Sequence, residues 1–69
     1  MQKFKNISNH DLSQYIDDWI KSERDRKIMK RRIIDGIKLE KLAEEFELSP
    51  KQIQRIVREC SQLLADKIL

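Results

Sequence analysis

The stretch from Leu39 to Cys60, LEKLAEEFELSPKQIQRIVREC, constrains the fold more than any other part of the chain. Leu39, Leu42, Ala43 and Phe46 fall at i, i+3, i+4 and i+7, which puts one apolar stripe on a short helix. Ala43 is the small residue of that stripe, so a second helix can cross close above it. The turn follows at Glu47 and Leu48. Ser49 then reads as an N-cap, with Pro50 at the first helical position and Gln52 three residues after the cap: a capping box with a helix-starting proline. Ile53, Ile56, Val57, Cys60 and Leu64 continue at helical spacing. This pattern predicts a helix-turn-helix at 39–60, with helices over 39–46 and from 50 to at least 64, and Phe46 as the core residue linking them.

On a wheel of about 100° per residue, Lys51, Arg55, Arg58 and Gln62 point away from the apolar face, with Gln54 on their flank. Gln52 and Glu59 lie on one edge, and no acid interrupts the centre. Any surface helix shows polar residues, so a basic face alone says little. Behind a short helix and a tight turn, the same face has the width and chemistry to enter a major groove. The expected partner of this ridge is therefore double-stranded DNA.

The remainder of the chain reads as support for that motif. Residues 1–8 form an N-terminal arm, in which Lys3 and Lys5 flank Phe4 without helical period. The arm either touches phosphates or lies back with Phe4 tucked onto the helices. Ser8 caps a helix over 9–21, with Ile7 stapled on Leu12 and an apolar stripe of Leu12, Tyr15, Ile16, Trp19 and Ile20. Ser22 with Asp25 repeats the cap and starts a helix over 23–35, although one helix running through Ser22 is the alternative. Its inner face is Ile28, Met29, Ile33 and Ile34. Arg24, Lys27, Lys30, Arg31 and Arg32 are left outside, and Lys27, Lys30 and Arg31 are candidate phosphate contacts. Gly36 fits the left-handed residue that closes a helix, and Ile37 re-enters the core. At the far end Leu63, Leu64, Ile68 and Leu69 exceed what recognition requires, an excess that a homodimer seam would account for.

Composition narrows the class further. With one Gly and one Pro in 69 residues there is little room for hairpins, and every apolar run has a period near 3.6. The expectation is one all-α domain over 9–69, built as a four-helix helix-turn-helix. The formal charge is only +3, but six basic residues against Asp25 crowd Arg24 to Arg32 while Glu40 to Glu47 is acidic, so the asymmetry matters more than the total. Cys60 lies on an apolar stripe and reads as a reduced core thiol. His10, alone in an exposed first turn, has no partner for a metal or for catalysis. No paired acids, phosphate loop or metal spacing suggests an enzyme or a cofactor. With neither a membrane-length apolar run nor a signal-peptide core, a cytoplasmic protein is the default expectation.

Over roughly Ser22 to Leu64 the chain resembles region four of bacterial sigma factors, the part that reads the promoter −35 element, and related phage and response-regulator domains. The resemblance is carried by the basic helix before Asp35-Gly36, the LAEEF helix, Leu48-Ser49 in the turn, and Ile53, Arg55 and Ile56 in the second helix. It implies that Lys51, Gln54, Arg55 and Arg58 contact bases or nearby phosphates and that Gln52 reaches a phosphate. It also implies a second mode of action, docking on RNA polymerase or a partner regulator with DNA contact secondary. Two positions depart from the pattern. Glu47 stands where the turn usually has Gly, and Lys38 where an N-cap Ser or Thr is common. A complete sigma factor needs a separate domain to melt DNA, so the expectation is a small transcription regulator, a module rather than a whole sigma factor.

Overall fold

A computed structural model describes Phe4 and residues 6–68. Four α-helices account for most of it: α1 (Asn9–Trp19), α2 (Glu23–Met29), α3 (Leu39–Phe46) and α4 (Pro50–Ile68). A π-helical segment, Lys30–Ile34, prolongs α2 without a break. The fold is all-α, and no strand occurs among the described residues.

The caps sit where the sequence puts them. Ser8 Oγ accepts from the Asp11 N–H at 3.1 Å and Ser22 Oγ from the Asp25 N–H at 3.2 Å, each meeting one of the orphan donors of a helix start. α1 stops at Trp19, short of the expected Lys21, because Ile20 is extended (φ −102°, ψ 117°) and turns its side chain into the core. Arg26 closes the carbonyl end of α1, which has no basic residue in its own last turn: its Nη1 donates to the oxygens of Ile20 at 2.8 Å and Lys21 at 3.0 Å. These bonds and the Ser22 cap make two helices here rather than one continuous helix.

α4 is the spine, against which α1, α2 and α3 all pack. Leu12, Ile16 and Ile20 meet Ile28 and Met29, then Leu42 and Ala43, on the Ile53, Ile56, Val57, Cys60 and Leu64 stripe of α4. Two expectations about the core are corrected and one open alternative is decided. Phe46 is half-buried rather than central, and the fully enclosed link between α3 and α4 is Leu42 with Ile53. Trp19 is 44% exposed, since α1 ends there and its ring lies beside the Lys67 ammonium, 4.9 Å from the ring centroid. Phe4, at 1% exposure, belongs to the core, which decides between the two readings of the arm at that residue. Lys3 and Lys5 lie outside the described residues.

The π segment ends in wide hydrogen-bonded loops, Asp35 N–H to Lys30 O at 3.2 Å and Ile37 N–H to Arg31 O at 3.1 Å, with Gly36 at φ +72° between them. The motif turn needs the same left-handed conformation without a glycine. Glu47 adopts φ 55° and ψ 42°, while Leu48 N–H donates to Ala43 O at 3.0 Å in a Schellman closure. A side chain in that region is strained, so Glu47→Gly is expected to raise stability by about 1 kcal/mol. A chemical-denaturation midpoint that stays level or falls would show that the turn carries no such strain.

Candidate nucleic-acid interface

α4 opens with the reciprocal bonds of the predicted capping box: Gln52 N–H to Ser49 Oγ at 3.1 Å, and Ser49 N–H to Gln52 Oε1 at 2.9 Å. This fixes the first turn, and with Ile53, Ile56 and Val57 buried below, the opposite side must face out. Lys51, Gln54, Arg55 and Arg58 are exposed there and, with Ser49 and Gln52, line one shallow concave surface. From Lys51 to Arg58 the ridge runs about 10 Å along the axis, within the width of a major groove. Gln52 differs from the expectation in one respect. Its carbonyl oxygen is engaged by the cap, so only its Nε2 is left to donate to a phosphate.

The expected phosphate contacts on the preceding helix are arranged otherwise. Lys30 is paired with Asp17 of α1 at 2.7 Å. Arg31 donates through Nε to Glu45 at 3.1 Å and through Nη1 to Asp35 at 3.2 Å, a bidentate hold on α3 completed by its Nη2. Lys27 is the most loosely engaged, 3.7 Å from Glu23 in an exposed pair. Arg32, expected outside, is half-buried: its Nη1 donates to Ile37 O at 3.0 Å, and its Nε is enclosed without a partner. The physical reason is the π segment. Its wider turn takes in an extra residue, so the outward arc expected from a uniform 3.6 period does not continue past Met29. Neither Arg26 nor Arg32 could be singled out from the sequence, because a carbonyl partner leaves no pattern in it.

By contrast, none of Lys51, Arg55 and Arg58 is in an ion pair among the described residues. A groove beside them runs from Gln54 and Arg58 to Leu39, at the start of α3. There Lys38 supplies no side-chain cap, so the first amides of α3 lack a side-chain acceptor from the cap position.

No family model, curated protein or solved structure matches the chain. Its own residues therefore carry the functional reading.

The Arg31–Glu45 contact has a consequence for stability. Its hydrogen bonds hold the Glu45 carboxyl below the usual value and the Arg31 guanidinium above its own. A depressed folded pKa contributes stability above the unfolded value, about 4.3 for Glu, that is lost as pH falls through the lower folded value. A modest acid-side loss of thermal stability is expected, and Glu45→Gln should flatten it; an unchanged acid limb would mean that the pair adds nothing. Cys60 behaves as a core thiol, pushed up to about 11 by burial first and then by Asp25 and Glu59.

Proposed function

We propose that the protein is a sequence-specific double-stranded DNA-binding module, a small transcription regulator that places the first half of α4 in the major groove. One observation carries the reading: the α2 and π-segment cations Arg24, Lys27, Lys30 and Arg31 have acidic partners, whereas Lys51, Arg55 and Arg58 have none among the described residues and share one exposed ridge with two amides. Positive charge without an internal counter-ion is what a phosphate backbone recruits, and the interleaved Gln54 and Arg55 offer bidentate base contacts. The start of α3, uncapped by Lys38, is suited to rest on the neighbouring strand. The helix-turn-helix geometry and the resemblance to sigma region four point the same way.

The test is binding to a random-sequence duplex across a salt series. Replacing Lys51, Arg55 and Arg58 with Ala should flatten the slope of log K against log salt by up to ~0.9 for each phosphate that is no longer neutralised. Replacing Lys27, Lys30 and Arg31 should flatten it less, because at Lys30 and Arg31 a phosphate must displace a carboxylate already in place. Equal slopes in both variants would return phosphate binding to the α2 face, and no measurable duplex binding would end the proposal.

A further inference from the structure

Away from the ridge, the molecule carries a second surface that DNA recognition does not use. Trp19 and Leu63 are its only exposed large hydrophobic residues among those described, and they flank one concavity between the end of α1 and the second half of α4. The homodimer seam expected from Leu63, Leu64, Ile68 and Leu69 does not form as a continuous face. Leu64 is fully buried, Ile68 is half-buried and Leu69 lies outside the described residues, so Leu63 is joined instead by Trp19. Ile20 and Cys60 lie at the bottom of the concavity, and Lys21 and Lys67 stand on its rim. Neither lysine is in an ion pair among the described residues. The carboxylate that lines the concavity, Asp25, is held by Arg24 at 3.2 Å.

We infer that this concavity is a docking site for an acidic amphipathic segment of another protein, which sets apolar side chains between Trp19 and Leu63 and carboxylates against Lys21 and Lys67. The apolar floor argues against nucleic acid, whose backbone offers charge but nothing to bury. Its sunken shape argues against a bilayer, because a flat lipid surface reaches Trp19 and Leu63 but not Ile20 and Cys60. A second copy of the chain would bring four lysines to one seam in an isologous contact, against carboxylates already occupied by Arg24. An acidic helix with apolar residues on one face meets both requirements, as in helix-in-groove recognition. The inference does not depend on the DNA-binding reading.

Trp19 is the only tryptophan of the chain, so its fluorescence reports on this surface alone. The probes are a short designed helical peptide with leucines on one face flanked by glutamates, and the same peptide with lysines for glutamates. The acidic peptide should shift the emission to shorter wavelength saturably, with affinity roughly tenfold or more above the basic one. The double variant Lys21→Glu/Lys67→Glu, confirmed as folded by circular dichroism, should exchange that preference. Equal response to both peptides, or to neither, overturns the inference. So does a blue shift that grows with protein concentration alone, which assigns the surface to a second copy, or one produced by anionic vesicles or duplex DNA in place of the peptide. Ridge variants that no longer bind duplex should leave the peptide titration unchanged, which keeps the two proposals separable.

Discussion

Phe4→Ala is expected to destabilise the protein by about 3 to 5 kcal/mol, a large part of the stability of a domain this small. Phe4 is among the largest fully buried side chains and packs in the same cluster as Leu12, Ile16 and Ile28. The Ile7 N–H donates to the Phe4 oxygen at 3.1 Å, a short turn that brings the ring back over the helices before α1 begins. Removing the ring deletes both its transfer free energy and the packing around it, and a core of so few large residues has little to collapse into the gap. The check is denaturant unfolding of both forms, with Phe4→Leu as a control that should recover much of the stability. A difference under about 1 kcal/mol would mean that the arm is a loose tail and that the aromatic contributes nothing to the fold.

The second large effect concerns recognition. Arg55 is exposed one turn after Lys51 and beside Arg58, opposite the buried Ile53 and Val57, and it has no acidic partner among the described residues. From the middle of the ridge its planar fork can take the O6 and N7 of a guanine together, which the point charge of lysine cannot. We expect Arg55→Ala to lower affinity for the preferred site by about 1 to 3 kcal/mol and to relax the choice of base at one position. Arg55→Lys should keep most non-specific binding and give up part of that discrimination. Both variants are measured against the best site from a random-pool selection and against a scrambled duplex at fixed salt. Equal weakening of the two duplexes by Arg55→Ala would make Arg55 a phosphate contact; no weakening would mean that the ridge does not face DNA.

Local chemistry alone located the helices and the turn, because caps and apolar periods act within one or two turns of chain. Ser8, Ser22 and Ser49 each bond the amide three residues on, and the stripe from Ile53 to Leu64 sets which side of α4 faces out. The outward position of Lys51, Arg55 and Arg58 follows from that stripe and needed no knowledge of the rest of the fold. What tertiary structure decided was the fate of side chains whose partners are distant in sequence. Lys30 finds Asp17, Arg31 finds Glu45, Phe4 takes the tucked one of its two open readings, and Trp19 loses the burial that its stripe suggests. The π segment shows why: a single widened turn leaves the composition of the helix untouched but re-aims its basic face, and the segment itself packs against α1 and α3, elements distant in sequence.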